Sequence, residues 1–396
     1  MITNGFMYIA VLIFMAACLV GMEKVTKWKF FEYVPPVILL YLLAMVCCTY
    51  KVWDPASTKA AYSAVRNPIL YAMIFLMLLR CDIRKILKLG PRMISGFFCA
   101  SITIAIGFVV TYAVMAKYLG PTAWRALGAL CGSWMGGSGN LVAVAEALGA
   151  SETELVYAGV VDSIDYSIWV MFLLWAVNAL AHRFNAWTKS DTRILDEVSK
   201  NLEEEAKGNT KPITFASLLF LLGLSLLVSA VCTDLGNKLA AMIPFADKAT
   251  WIVLILSVLA LVAAVTPIGK IAGSVELSNI MLYAVIALIA SRASLLEMKD
   301  APVWVMAGFM ILGIHLVLML IAAKIFKLDM FTCGVASLAN IGGTASAPIL
   351  AGSYAGSLVP VGVLMALMGY VIGTFGGIGV GKIMSIFGSV VTTAGV

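Results

Sequence analysis

The feature that most constrains this chain is that it repeats itself inside an apolar sequence. Residues 67–98 align with residues 279–310 at a constant spacing of 212 positions. Identities fall at Asn67/Asn279, Leu70/Leu282, Tyr71/Tyr283, Ala72/Ala284, Ile74/Ile286, Leu76/Leu288, Arg80/Arg292, Gly96/Gly308 and Phe97/Phe309. Leucine, isoleucine and alanine recur in any apolar chain, but the arginine and the Asn-x-x-Leu-Tyr-Ala string do not. Further along the spacing becomes 206, and Gly136, Gly137 and Ser138 meet Gly342, Gly343 and Thr344. A duplicated chain with a glycine-broken apolar segment in each half is the sequence pattern of a secondary transporter.

Composition sets the class. Of 396 residues, 62% are hydrophobic and 12% charged, with a mean hydropathy of +1.00, whereas ordinary soluble domains are about a quarter charged. The chain is expected to be all-α and polytopic, with the lipid bilayer as its surroundings, in a bacterial inner (plasma) membrane. The first apolar run, residues 6–22, lacks a basic leader and a small-residue cleavage pattern, so it reads as a retained helix rather than a signal peptide. A formal charge of +6 serves to orient loops and gives no reason to expect a nucleic-acid partner. The eight cysteines lie in or beside apolar runs without C-x-x-C spacing and read as free, packed thiols.

About 20 apolar residues cross the hydrocarbon core. Ten spans follow, near 6–22, 30–50, 60–81, 93–117, 154–182, 214–233, 250–269, 275–295, 302–325 and 358–384. Segments 122–150 and 331–354 either cross as interrupted helices or enter and return as re-entrant hairpins. Charge favours the hairpins. Arg80, Arg84, Lys85, Lys88 and Arg92 place the loop after the third span in the cytoplasm, and the polar stretch 185–212 reaches the same side only if 122–150 turns back. Five crossings per copy then invert the second copy against the first. The expected organisation is a membrane repeat over 1–184, a cytoplasmic linker over 185–212 and an inverted repeat over 213–396, with both termini outside. The linker's string LDEVSKNLEEEAK suggests a short surface helix, a connector or else a regulatory element.

Chemistry concentrates at the two breaks. Gly136, Gly137 and Gly139 each weaken a helix by about 1 kcal/mol relative to alanine, and Ser133, Ser138 and Asn140 place polar groups beside them. In the second copy Asn340, Gly342, Gly343, Thr344 and Ser346 repeat the arrangement, and Pro348 is expected in the first turn of the returning half-helix. Backbone freed at membrane depth must be buried in protein or face a watery cavity. A half-helix starting at Asn140 would aim its N–H groups at an anionic group. The competing reading of such glycines is close helix packing.

The next span holds Asp162 and Asp165, one helical turn apart, each costing about 2.5–3.5 kcal/mol at mid-bilayer unless partnered. With Ser163 they form a candidate coupling-ion site, Asp162 as the sodium ligand; a proton, or an ion pair with a bundle Arg or Lys, is the alternative. Glu146 faces either the same cavity or the interface. Arg292 is a candidate for a substrate carboxylate, or else pairs with Glu297 or Asp300, while Arg80 reads as a topology anchor. Glu276 and Asn279 are placed at a cytoplasmic mouth. His315, alone in an apolar helix, reads as packing ahead of proton relay. No ligand set for a cofactor and no catalytic triad is evident, so none is expected.

The strings GSWMGGSGNLVAVAEALGA and LANIGGTASAPILAGS, with GYVIGTFGGIGVGKIM after the second, resemble the DUF819 family of bacterial and plastid integral membrane proteins over nearly the whole chain. The resemblance extends to the wider clan of cation/proton antiporters and anion transporters, which includes sodium/glutamate and citrate symporters. It implies hairpin positions Gly136, Gly137, Ser138, Asn140, Gly342, Gly343 and Thr344, elevator displacement and a homodimer. It also shows a departure, Ser163 standing where many members have Asn. The expected activity is sodium-coupled symport of an amino acid, dicarboxylate or short peptide, with antiport without organic substrate, or a passive channel, as alternatives.

Overall fold

The computed structural model describes residues 1–396 apart from 29, 34–35, 191–211, 244–247, 293–299, 355–357 and 395–396. The first half runs α1 (Gly5–Thr26), a single turn α2 (Phe30–Tyr33), α3 (Pro36–Thr49), α4 (Pro55–Leu78), a short α5 (Ile83–Ile86), a 3-10 turn Leu87–Leu89, α6 (Gly90–Leu119), α7 (Trp124–Gly136), α8 (Ser138–Leu148) and α9 (Glu152–Thr188). The second runs α10 (Phe215–Met242), α11 (Lys248–Ala264), a 3-10 turn Pro267–Lys270, α12 (Ser274–Ala290), α13 (Ala301–Phe326), α14 (Met330–Ile341), α15 (Gly343–Tyr354) and α16 (Val359–Ala394). The strand-like pairing among the described residues is an isolated bridge between Ile2 and Trp53.

Polar residues at the helix ends set these boundaries. Asn4 accepts from the Met7 N–H at 2.9 Å to open α1, and Asp54 accepts from the backbone of Ser57 at 3.0 Å to open α4, where Pro55 needs no donor partner. Ser151 caps α9, with Glu152 and Glu154 in its first turn. Thr214 and Ser217 form a capping box on α10, and Asp329 caps α14 through the Thr332 N–H at 2.8 Å.

Seven of the described helices are long and apolar enough to cross a membrane: α1, α4, α6 with its preceding 3-10 turn, α9, α10, α13 and α16. The chain is a multi-pass integral membrane protein. Three of the ten expected spans come out shorter. The span expected at 30–50 becomes α3, of 14 residues, and those at 250–269 and 275–295 become α11 and α12, of 17 each. Thr266 and Pro267 end the first of these last two in a 3-10 turn, and Gly273, at φ +108°, delays the start of the second. At 1.5 Å per residue, 17 residues reach about 25 Å. Residues 191–211, most of the expected linker, and Glu297 lie outside the described residues.

The helices pack as two bodies. One is a six-helix bundle of α1, α3 and α4 with α10, α11 and α12, in which α4 lies against α12, α10 and α11. The other contains α6–α9 and α13–α16, in which α7 lies along α16 and α6 along α13. Contact between the bodies is sparse and runs mainly through α8 against α11 and α4. In a bilayer, helices gain no hydrophobic free energy by meeting one another, so close packing of small residues carries association. Gly128, Gly132 and Gly136 of α7 face Gly369, Gly373, Gly377 and Gly381 of α16 in this way: a Cβ on Gly377 would lie 2.8 Å from the Gly132 Cα.

The molecule has two polar ends. At one, Arg84 donates to Val265 O and Arg92 to Lys327 O, both at 2.8 Å, and Lys324 donates to Trp187 O. At the other, Trp53 donates to Ser291 O at 2.9 Å, Arg292 to Pro55 O at 2.6 Å and Arg125 to Gly149 O at 3.0 Å.

Candidate functional site

Each glycine-rich segment folds into a pair of short antiparallel helices. In the first, α7 and α8 are joined by Gly137 alone, at φ +87°, and the base is closed by Arg125 on Gly149 O. In the second, α14 and α15 meet at Gly342–Gly343, with Gly343 at φ +56°, and Phe331 lies against Tyr354 at the base, ring centroids 5.2 Å apart. The conformation of Gly137, with ψ 169°, is open without strain only to a residue lacking Cβ, and the left-handed φ of Gly343 favours glycine. The bases sit at opposite ends of the molecule and the tips meet: a Cβ on Gly343 would lie 3.7 Å from the Gly137 Cα. These two glycines are partners at the 206-residue spacing.

A cavity of about 450 Å³ opens where the tips meet. Gly137, Ser138 and Gly139 line it from the first hairpin, Ile341, Gly342, Gly343 and Thr344 from the second, and Ser133 from the body of α7. Helix α9 adds Asp162, Ser163, Tyr166 and Ser167, and α16 adds Tyr370. The six-helix body contributes Met77, Asn279 and Leu282.

Asp162 is held from behind. Trp134 Nε1 donates to its Oδ1 at 2.9 Å and the Ser133 hydroxyl to its Oδ2 at 3.1 Å. Two donors fix the carboxylate's orientation and leave lone pairs for a cation or an ammonium group. Ser163 donates back to Gly159 O at 2.7 Å, so its oxygen remains an acceptor on the wall. The first turn of α8 begins at Ser138, two residues earlier than expected, and has no side-chain cap; the Asn140 N–H turns back to Gly137 O at 2.9 Å, and the Ser138 and Gly139 N–H groups are left for a ligand or water. Pro348 lies inside α15 rather than in its first turn, because the helix restarts immediately at Gly343. Lacking an N–H, it leaves the Thr344 carbonyl without its ordinary helical partner at the cavity wall. The Thr344 hydroxyl lies 3.0 Å from the Tyr370 hydroxyl, and the Arg80 guanidinium lies over the Tyr370 ring, 5.4 Å from its centroid.

Several sequence candidates lie elsewhere. Gly136 is buried against Gly369, a spacing no side chain would fit. Asn140 accepts from Thr374 at 3.0 Å and clamps the first hairpin to α16, while Asn340 accepts from Ser101 at 2.7 Å and clamps the second to α6. Ser346 is buried behind the second tip. Glu146 does not line the cavity: it pairs with Arg66 at 2.5 Å and accepts from Tyr71 at 3.3 Å, across the boundary between the bodies. Arg292 is at the far end, on Pro55 O and the Thr58 hydroxyl and over the rings of Tyr62 and Tyr8. The arginine nearer the cavity is Arg80, set aside in the sequence because of its basic neighbours. His315 bonds Thr103 at 2.8 Å and Ser337 at 2.9 Å, both ring nitrogens used, as a packing residue would.

Asp165 is fully buried one turn from Asp162, and neither carboxylate oxygen has a hydrogen-bond partner. Gly308 makes the room for it, since a Cβ there would overlap Oδ2. The cavity residues that sequence reasoning missed are Met77, Tyr166, Ser167, Leu282, Ile341 and Tyr370. Only the hydroxyls of Tyr166, Ser167 and Tyr370, spaced along apolar helices, offered a signal.

Residues 10–387 match the DUF819 family, described as a protein of unknown function. The chain is similar to the uncharacterized membrane protein YjcL of Bacillus subtilis, 24% identical over 383 residues that cover 94% of this chain and 95% of that one.

Proposed function

The chain belongs to the DUF819 family, and we propose that it is a secondary active transporter: a sodium-coupled symporter of a small polar or anionic solute working by alternating access. The observation that carries this reading is the cavity itself. Two helix breaks, an uncapped helix N-terminus and a membrane-embedded carboxylate meet between two bodies that touch only sparsely. Asp162 and Ser163, with the freed Thr344 carbonyl, supply the oxygen ligands a hard cation takes. The Ser138 and Thr344 hydroxyls and the first turn of α8 suit a carboxylate.

An inverted repeat of 1–184 and 213–396 fits the element order. α4, α6, α7, α8, α9 recur as α12, α13, α14, α15, α16, and each body draws equally on both halves. The end bearing Arg84, Lys88, Arg92, Lys270, Lys324 and Lys327 is assigned to the cytoplasm by its excess of positive charge. That end also carries Asp82 and Asp329, whereas the other mixes Lys51, Lys117, Arg125, Lys248, Arg292 and Lys382 with Asp54, Glu152, Glu154 and Asp300, a smaller positive excess. The hairpins then enter from opposite faces, and the sparsely contacted hairpin body is the part that moves, as in an elevator.

A second reading is favoured by one observation. Asp165, buried without a partner, needs a proton or a cation beside it, which suits cation/proton antiport without an organic solute. Thermal stability of the purified protein separates the two. Stabilisation by sodium over potassium or choline, deepened by one class among amino acids, dicarboxylates and dipeptides only in sodium, supports symport; a ligand at 100 times its Kd contributes about 2.7 kcal/mol. A response to pH alone, lost in Asp165→Asn, supports antiport, and no response to sodium, pH or solute would refute both.

A further inference from the structure

The Asn-x-x-Leu string shared by the two halves is used only once in this structure. Asn279 and Leu282 line the cavity, with Met77 the third contribution of the six-helix body. Their partners at the 212-residue spacing are Asn67, Leu70 and Ile289. None of these lines the cavity. Leu70 and Ile289 are fully buried, and Asn67 accepts from Arg66 at 2.8 Å.

We propose that Asn67, Leu70 and Ile289 form a second half-site, which replaces Asn279, Leu282 and Met77 when the hairpin body moves to its other position. This rests on the alternating-access reading above.

Symmetry within the hairpin body gives the reason. Its tips meet at equivalent residues, Gly137 and Gly343, so the axis relating its halves passes between them. The six-helix body is not centred on that axis. The tips face Met77, the last residue but one of α4, and Asn279, five residues past the start of α12. Both positions lie toward the basic end. Exchanging the roles of the halves gives an equivalent arrangement in which the tips face Ile289 and Asn67. Ten residues separate Met77 from Asn67 and Asn279 from Ile289, and at 1.5 Å per residue the displacement is about 15 Å. A solute would meet a carboxamide in both positions, Asn279 on the basic side and Asn67 on the other. This chemistry suits a solute with a hydrogen-bonding group directed away from the hairpins.

The contacts that must part for this movement are visible. Glu146 of α8 is held by Arg66 and Tyr71, Glu152 of α9 accepts from the Tyr62 hydroxyl, and Thr250 donates to Ala147 O at 2.7 Å. The repeat partners of Arg66 and Glu146 are Ser278 and Gly352, so no ion pair replaces this one after the exchange. The position described here is thus the one latched by charge.

The test is labelling of Leu70→Cys by a membrane-impermeant maleimide applied to the face opposite the basic end, with the parent chain as background. Labelling is expected, and is expected to rise by at least about tenfold when Glu146→Gln is added, a modest share of what a desolvated charge pair contributes. A disulfide between Ile289→Cys and Ala345→Cys should form under the same conditions, and one between Met77→Cys and Gly139→Cys, which touch in the latched position, is expected there. If Leu70→Cys stays unlabelled with and without Glu146→Gln, and the Ile289/Ala345 pair never closes, while sodium still stabilises the wild-type protein, the half-site is refuted and the transport reading stands. If sodium and pH also leave the wild type unchanged, the transport reading falls with it.

Discussion

Two glycines in one helix should respond unequally to the same substitution. Gly377 and Gly379 both lie within α16, and alanine at either gains about 1 kcal/mol of helix propensity. Gly379 has nothing within 4 Å of an added Cβ, so Gly379→Ala keeps the gain. At Gly377 the Cβ would stand 2.8 Å from the Gly132 Cα and 2.9 Å from the Gly128 carbonyl oxygen. Backbone cannot rotate away as a side chain can, so α7 must move off α16, at an overpacking cost of about 1–3 kcal/mol. The propensity gain is common to both variants, and their difference isolates the contact. Gly377→Ala should be less stable than Gly379→Ala by about 1–3 kcal/mol, or roughly 5- to 150-fold in the unfolding equilibrium. Reversible unfolding by SDS in mixed micelles reads this directly. If the two variants shift the midpoint equally and in the same direction, α7 does not rest on α16 through these glycines, and the seating of the first hairpin described here is wrong.

Three further outcomes follow from the geometry. Arg66→Met leaves the half-buried Glu146 with only the long Tyr71 hydroxyl bond and should destabilise by less than the about 3–5 kcal/mol of a fully buried broken pair, while Arg66→Met with Glu146→Met should cost clearly less than the single variant; unfolding midpoints of the single and double variants decide it. Gly308→Ala should destabilise the wild type more than it does Asp165→Ala, with a coupling of about 0.5–3 kcal/mol in a double-mutant cycle; residual cost is expected because the added Cβ also meets Val161 at 2.5 Å. Asp54 lies outside the spans, and the Ser57 hydroxyl, helped by the Ser57 N–H, holds its carboxyl below the usual aspartate range. A depressed value means that its stabilisation is fully present above about pH 4 and is lost as pH falls through the lowered value. The stability difference between wild type and Asp54→Ala should therefore be constant at neutral pH and vanish in acid; a difference that grows in acid would contradict the cap.

What the sequence made legible were departures from apolar monotony. The glycine clusters at 136–139 and 342–343 mark the helix breaks, and a carboxylate in the middle of an apolar run, Asp162, marks the cavity wall. Apolar length alone could not separate α11 and α12 from full spans, because the residues that bound them, Pro267 after the first and Gly273 before the second, are single and unremarkable. Arg80 and Arg292 are equivalent by repeat, so sequence context ranked them by their charged neighbours. The structure places Arg80 beside Tyr370 and Arg292 at the opposite end, because the two bodies are offset and equivalent residues do not have equivalent surroundings. Sequence leaves Glu146 open between the cavity and the interface, because its partner Arg66 lies 80 positions earlier and reaches it only through the packing of α8 on α4.

In the proposed cycle a cation bound at Asp162 drives a solute through the cavity between the hairpin tips. Its most direct test is solute accumulation in proteoliposomes under an inward sodium gradient, using the solute class that stabilises the protein in sodium, for wild type and Asp162→Asn side by side. Accumulation above the external concentration is expected for the wild type, with collapse when the gradient is dissipated, and none for a folded Asp162→Asn. Accumulation by Asp162→Asn equal to wild type, or wild-type uptake that only equilibrates whatever the gradient, would contradict it.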